Sequence, residues 1–398
     1  MDILIYRYGS ICEPDIIDAF TRLGLHVLEE KTEITNKKLS SADRVELVNR
    51  VLTERHPLFV FSVNFYPALA EICYIHKTLY LCWTVDSPVP ELFSDSIRRP
   101  TNRIFLFDKA QYRTFSPYNP ACIYHLPLAS CTDRFNRVIG SITEQDRQTY
   151  AADISFVGSL YSEKNPMHHL DGLSAYSQGY IDALVEASLK LYGYNPVPDA
   201  ATADLAAEIK AHADDFYSVE KRVADSDRYV AAHSYIGMQI AETERIRTLN
   251  TLADYFDVAL YTLSDTAPLQ NVQVRGGIKS LTEMPKVFHL SKINLNMTIK
   301  PIQAGLPLRV FDILGCGGFL MTNYQEELPE YFDIGVDLEA YSSMEELVEK
   351  CTYYLEHEEE RKQIAQNGYR KVCEGHTYIH RMKAMIAALA CGPLFYSL

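Results

Sequence analysis

Short apolar runs recur through the amino-terminal third of the chain, each separated from the next by a stretch with helical spacing. The runs are DILIYRY, HVLEE, LFVFSVN, LYLCWTV, RIFLFD and CIYHLPLA, with helices expected from about Pro14 and through Asp43 to Thr53. Near-continuous apolar strands alternating with helices predict a parallel sheet covered on both faces, that is, a doubly wound α/β domain. A second α/β unit starts at ISFVGSLY (154–161) and resumes at VALYTLSD (258–265). It continues through KINLNM, FLMTN and the helical SSMEELVEKCTYYLEHEEERKQIAQNGYRKV.

Between the first two strands of that second unit lies a long helical stretch, rich in Ala, Tyr and charge, with a proline-bearing break at Tyr194 to Asp199. Inserted helices of this length usually decorate a domain, so the stretch reads as an accessory bundle or acceptor-side cap rather than a catalytic module. The tail reads as a helix followed by a Gly392-Pro393 stop. The expected organisation is a first α/β domain over 1–145 and a second over 146–376 with a helical insertion at 165–253. A terminal helix over 377–398 would pack back on the first domain.

Composition narrows the function classes. The chain has 398 residues, a net charge of −14, 47% hydrophobic and 23% charged residues, and an isoelectric point near 5.3. An acidic chain lacks the basic face that phosphate-backbone binding needs, which argues against nucleic acid as a partner. Nine scattered cysteines, mostly in apolar runs and without a CxxC pair, read as reduced core residues of a cytoplasmic protein. No signal peptide precedes the first strand, and the longest apolar stretch, 385–396, is too short and interrupted to span a bilayer. Peripheral contact with a membrane stays open.

Against the acidic whole, one segment is basic. From Arg275 to Arg309 there are six cations (Arg275, Lys279, Lys286, Lys292, Lys300, Arg309) and one acid, Glu283. A local basic pocket suits a small polyanion such as a nucleotide diphosphate, and solvated surface charge is the plainer alternative. Within it, Arg275-Gly276-Gly277 pairs a cation with a permissive backbone. Arg309 and Asp312 lie three apart on one helix face, where a simple salt bridge is the alternative role, and Gly315, Gly317 and Gly318 turn that helix into FLMTN.

Residues at strand carboxyl ends face the ligand crevice of a doubly wound domain. In the first domain these include Tyr8, Asn64, Tyr66, Asp86, Asp108 and His125. Asp86, ringed by Trp83, Pro88 and Pro90, could serve as a general base, with helix or turn capping as the competing role. Asp108 reads as an N-cap, and His125 either as a catalytic residue or as a satisfied core histidine. In the second domain Gly158 and Ser159 follow a strand and can present N–H groups to a phosphate, or form an ordinary tight turn. No GxSxG, HExxH or P-loop sequence occurs, and the one Asp-x-Asp, Asp225 to Asp227, lies in the helical insertion, so no metal site is expected.

The ordered run EMPKVFHLSKINLNM, G-x-P-x-RVFDILGCGGFLMTNYQEELPEYF, Y-x-S-x-EELVEKCTYYLEHEEERKQIAQNGYRKV and HTYIHRMK, across 274–382, resembles the spore-maturation-protein-B type (CgeB-like) glycosyltransferases. WTVDSPVP and YHLPLA resemble the domain often joined to that module. The resemblance implies a GT-B fold, two facing Rossmann-like doubly wound domains, here with a helical insertion in the carboxy-terminal half. It also implies a cytoplasmic bacterial enzyme that moves a sugar from a nucleotide-diphosphate donor such as a UDP-sugar to a glycan or protein acceptor, with no cofactor. By the same resemblance Asp312 would bind the donor ribose, and Gly158, Ser159, Arg275, Asn296 and Arg309 would complete the donor site. Asp86 and His125 would serve catalysis. Retaining members often carry a further acid eight residues before Asp312, where this chain has Ala304, so neither stereochemical outcome follows. A non-catalytic subunit presenting an acceptor protein, and a nucleotide-sugar epimerase, are the other readings the sequence leaves open.

Overall fold

The computed structural model describes residues 1–219 and 221–391. They form two compact units, one made of Met1–Leu128, Ser218–Ser226 and the chain from Thr377, the other of Ala129–Tyr217 and Asp227–His376.

The first unit is built on six parallel strands, β1 (Asp2–Tyr6), β2 (His26–Glu30), β3 (Phe59–Val63), β4 (Leu79–Trp83), β5 (Asn102–Leu106) and β6 (Ile123–His125). Their order is β2-β1-β3-β4-β5-β6. All six coincide with the apolar runs. β3 and β5 are buried along their whole length, whereas edge strand β2 buries only its last residue. That contrast follows from helices covering both faces of the inner strands. Helix Ser41–Arg55 begins in a capping box between Ser40 and Asp43, which satisfies two otherwise orphaned N–H groups. The terminal helix Tyr378–Cys391 packs on helix Glu13–Arg22. Tyr378 meets Trp83 edge to face at 6.0 Å, and Arg381 Nε donates to the Pro127 carbonyl at 2.7 Å. Gly392-Pro393 lies outside the described residues.

The second unit holds β7 (Ala152–Val157), β8 (Val258–Tyr261), β9 (Gln273–Val274), β10 (Ser291–Asn296), β11 (Leu320–Asn323) and β12 (Glu339–Tyr341). They are parallel, in the order β12-β11-β10-β7-β8-β9. Counted within the unit this is 3-2-1-4-5-6, the strand order of dinucleotide-binding domains, with its switch point between β7 and β10. Two strands were not anticipated from the apolar pattern. β9 is two exposed residues long, and β12 carries Glu339, a buried carboxylate met by Lys350 Nζ at 2.7 Å and Tyr354 Oη at 2.8 Å. The long helical run beyond β12 is two helices, Met344–Glu356 and Glu358–Gly375, broken at His357.

The helical insertion has a core of its own, in which Ile181, Val185, Leu205, Ile209, Ile236 and Ile240 come together. Its last helix, Gly237–Ala253, leaves that core. Leu249 and Leu252 pack instead with Phe156, Leu260 and Leu295 of the sheet, so this helix is the crossover from β7 to β8. The reading of the whole stretch as decoration fails at this helix, because the crossover and the last inserted helix are one continuous element. Residues 221–226 pack with the first unit, where Val223 N donates to the Phe93 carbonyl at 2.8 Å and Ser94 bridges to Arg222. No helix among the described residues is long and apolar enough to cross a membrane.

Candidate active site

In a doubly wound sheet the ligand crevice opens at the carboxyl ends of the strands flanking the switch point. In the second unit those ends are Val157, leading into Gly158-Ser159, and Asn296, leading into Met297-Thr298. One buried arginine joins them. Arg245, from the crossover helix, donates through Nη1 to the Ser159 carbonyl and through Nη2 to the Met297 carbonyl at 2.9 Å. Its guanidinium stacks over Tyr161 at 4.5 Å and Phe156 at 5.2 Å. Burial pushes its pKa down from the usual arginine range, Tyr161 and Glu244 pull it back up, and Arg309 pushes it further down. The Arg309 charge thus reaches Arg245 through space.

Arg309 and Asp312 stand on helix Leu308–Gly315, which follows β10. Arg309 Nη1 is 3.3 Å from Asp312 Oδ2, the i, i+3 pair that the spacing allowed, and also contacts Met284 Sδ. Burial lowers the Arg309 pKa, with Asp312 opposing it. The helix ends where Gly317, at φ +67°, turns the chain toward β11. A Cβ at Gly318 would lie 2.5 Å from the Phe288 carbonyl oxygen, so the tight return to the sheet requires glycine there.

The other donor-site expectations divide. Ser159 Oγ accepts from Tyr161 N at 2.7 Å and donates to Glu163 at 2.6 Å, which makes a structured turn at the end of β7. The Gly158 N–H is used by the sheet, donating to the Tyr261 carbonyl at 3.1 Å, and so is not offered to a ligand. Asn296 is buried and donates to Thr298 Oγ1 at 3.0 Å and Thr322 Oγ1 at 2.9 Å; its amide pins β10 to β11. Arg275 is not brought to the crevice. Its Nη1 is held by the carbonyls of Thr149 and Ala151, each at 3.1 Å, just before the start of β7. β7 has six residues, so those carbonyls sit roughly 20 Å along the strand from Gly158. The basic segment as a whole is largely compensated by acids. Lys286 pairs with Asp146 at 2.8 Å, Lys292 with Asp153 at 2.7 Å and Lys279 with Glu283 at 3.7 Å.

In the first unit the switch point lies between β1 and β3, and a polar cluster forms there. Asn64, at φ +60°, donates through Nδ2 to Asp86 Oδ2 at 2.7 Å and more weakly to Tyr8 Oη at 3.3 Å, while Oδ1 accepts from Val85 N. Asp86 is exposed rather than enclosed by its apolar neighbours, and its carboxylate is held by Asn64 instead of capping a helix. Asp108 does cap, accepting from Ala110 N at 2.8 Å. His125 is part-buried, with Nε2 3.3 Å from the Phe107 carbonyl. It closes β6, two strand spacings from β4, or about 10 Å, so the structure does not bring Asp86 and His125 together.

Three residues near these positions were not singled out by the sequence reading. Arg245 lies in a segment whose composition suggested decoration. Glu91 follows the VDSPVP loop in a single 3-10 turn; burial raises its pKa and Asp86 raises it further. Glu327 is fully buried, and its N–H donates to the Ala304 carbonyl at 3.1 Å, which places an acid beside the backbone where the expected one is missing.

Two six-stranded parallel units of these topologies in one chain make the two-domain α/β fold called GT-B. Solved structures with the fold align along nearly the whole chain. A glycosyltransferase from Rickettsia africae aligns over 100% of this chain and 99% of its own, with a TM-score of 0.53 and 11% identity. Anabaena HepE in complex with UDP-glucose aligns over 98% and 99%, at 0.54 and 12%. Sucrose-phosphate synthase from Thermosynechococcus elongatus aligns over 98% and 99%, at 0.52 and 10%. In sequence, residues 244–387 match a family model described as glycosyl transferase-like. A comparison with curated proteins gives no match.

Proposed function

We propose that this chain is a glycosyltransferase that takes a sugar from a nucleotide-diphosphate donor bound at the β7/β10 switch point and passes it to an acceptor hydroxyl. The observation that carries the reading is the pair of elements at that point: Arg245, bonded to the loops leaving β7 and β10, and the Arg309–Asp312 pair on the helix that follows β10. In this reading the Arg309 guanidinium meets the diphosphate and Arg245, whose Nη groups are taken by backbone carbonyls, adds its charge through space as the glycosidic bond to the donor breaks. The match of 244–387 to a glycosyl transferase-like model supports it, since that range begins just before Arg245 and contains Arg309 and Asp312. HepE, which shares the fold, binds UDP-glucose, and this favours a UDP-sugar as the first donor to try.

In this reading Asp312, buried and beside Arg309, accepts from the ribose hydroxyls. Arg245 and Arg309 stabilise the leaving diphosphate. In the first unit Asp86, oriented by Asn64, takes the proton from the acceptor hydroxyl. Arg275, Asn296 and the Gly158 N–H are left with structural tasks.

A thermal-shift panel of nucleotide diphosphates and nucleotide sugars tests the donor site. A ligand at about 100 times its dissociation constant adds roughly 2.7 kcal/mol of stability. The expected result is a clear rise in Tm with UDP or a UDP-sugar that Arg309→Ala removes. No response to any nucleotide would overturn the reading.

A further inference from the structure

Glu244 and Arg245 are consecutive on the crossover helix Gly237–Ala253 but serve different places. Arg245 reaches the loops leaving β7 and β10. Glu244 lines a hollow of about 370 Å³ between that helix, the end of helix Ala175–Ser188 with the chain that follows it, and the start of helix Met344–Glu356. All three lie in the second unit. The volume is that of a small-molecule site, and none of Ser159, Arg245, Arg309 or Asp312 lines it.

Glu244 is 6% exposed, and its carboxylate makes no hydrogen bond or ion pair among the described residues. Neither oxygen is sealed off, so the surface that Glu244 keeps opens into the hollow. One helical turn further on, Thr248 repeats the pattern. It is 2% exposed, lines the same hollow, and its hydroxyl is neither bonded nor sealed off. Residues four apart share a helix face, so the carboxylate and the hydroxyl form one polar edge. Buried polar groups without partners are costly, and two on the same edge favour a ligand that meets both.

Glu244 lacks a donor rather than a counter-charge. Burial raises its pKa, and Lys300 and then Arg245 draw it back down through space. Lys300, however, donates to the Leu191 carbonyl and Arg245 to those of Ser159 and Met297, so neither gives Glu244 a hydrogen bond. A neutral hydroxyl therefore fits the carboxylate better than an ammonium group. The other lining charges are met or solvated: Arg247 holds both oxygens of Glu186, at 2.9 and 2.6 Å, and Lys190 and Glu345 are exposed. Leu189, Met344 and Tyr192 add apolar lining, with the Tyr192 ring held by Tyr341 at 5.7 Å and Lys300 at 5.3 Å. A polar edge beside an apolar wall matches a sugar ring, which carries hydroxyls at its rim and C–H groups on its faces.

We propose that this hollow binds a neutral saccharide, one hydroxyl of the sugar donating to Glu244 and a neighbouring one accepting from Thr248. The proposal does not rest on the transferase reading, because binding is measured without turnover.

Calorimetric titration of the full chain, free of nucleotide, with glucose, galactose, N-acetylglucosamine, maltose and cellobiose tests it, with spermidine as the amine probe. At least one saccharide should bind saturably in the millimolar range or tighter, and spermidine should not compete. Glu244→Gln should weaken that binding at least tenfold and Thr248→Val, which keeps the side-chain shape, several-fold. Thr248→Val should also leave the UDP-induced thermal shift as in the parent chain. Arg309→Ala and Asp86→Asn should leave saccharide binding unchanged, which separates the hollow from the proposed donor and acceptor positions. Four results would each overturn the proposal: no saturable binding of any saccharide, binding that both Glu244→Gln and Thr248→Val spare, binding lost in Arg309→Ala or Asp86→Asn, or spermidine binding that Glu244→Gln abolishes.

Discussion

Arg245 Nη2 lies 2.9 Å from the Met297 carbonyl oxygen, across the gap between a helix of the β7–β8 crossover and the loop leaving β10. With its second bond to the Ser159 carbonyl, one side chain sets the relative position of the two loops that flank the switch point. Arg245→Met removes the guanidinium from over Tyr161 and Phe156 and leaves both carbonyls without their donor. Charge-assisted hydrogen bonds of this kind contribute about 1.5–3 kcal/mol each, offset by relief of the buried charge. The expected net loss is about 2 kcal/mol in urea unfolding, together with loss of the UDP-induced thermal shift.

Asp312 and Arg309 should separate by their effects on donor. If Arg309 faces the diphosphate as proposed, Arg309→Ala should depress affinity for UDP and for a UDP-sugar alike. Asp312→Ala should weaken nucleosides with an intact ribose about tenfold or more and discriminate little among those lacking the hydroxyls. Calorimetric titration with UDP and its 2′-deoxy analogue reads the difference. Equal losses for both ligands in Asp312→Ala would remove that residue from ribose recognition.

Asp86→Asn should lower kcat by about 100-fold or more with little change in donor KM, as expected for loss of a general base. Asn64→Ala, which frees the carboxylate that Asn64 now holds, should lower kcat by a smaller factor. His125→Asn should have little effect on kcat, because its ring is committed to the Phe107 carbonyl away from Asp86. Steady-state kinetics with whichever UDP-sugar gives turnover compares the three, and a His125 variant slower than the Asp86 variant would reverse the assignment.

His233 makes stability depend on pH. It is 1% exposed, neither ring nitrogen has a partner, and burial pushes its pKa down to about 4 from 6.5. The unfolded chain therefore binds this proton more readily than the folded one. The stability contributed by keeping the ring neutral is fully present above pH 6.5 and is lost as pH falls from 6.5 toward 4, on the order of 3 kcal/mol in all. His233→Phe should flatten that part of the profile in urea unfolding at stepped pH. An unchanged slope between pH 6.5 and 4 would show that His233 is not its source.

Much of the fold was readable from the spacing of apolar residues because parallel strands buried on both faces leave an unbroken hydrophobic record. Where burial is not apolar, the record fails: β12 hides Glu339 behind Lys350 and Tyr354. The Arg309–Asp312 pair and the turn after it were legible where charge and glycine sat together. It was misread at Arg275, since sequence gives the end of a strand but not the direction in which a long side chain runs. It was missed at Arg245, since nothing local distinguishes a helix that decorates a domain from one that crosses over its sheet.

Helix Gly237–Ala253 gives Ile240 to the core of the inserted bundle, Arg245 to the crevice and Leu249 and Leu252 to the sheet. Modularity in this protein therefore has a definite seam. Excising 165–253 as a block would remove the keystone arginine and the return path to β8, whereas an excision that stops short of Gly237 would keep both. Gain or loss of a bundle at this position is constrained to preserve one helix, and any variation in its size is accommodated on the side of that helix away from the sheet.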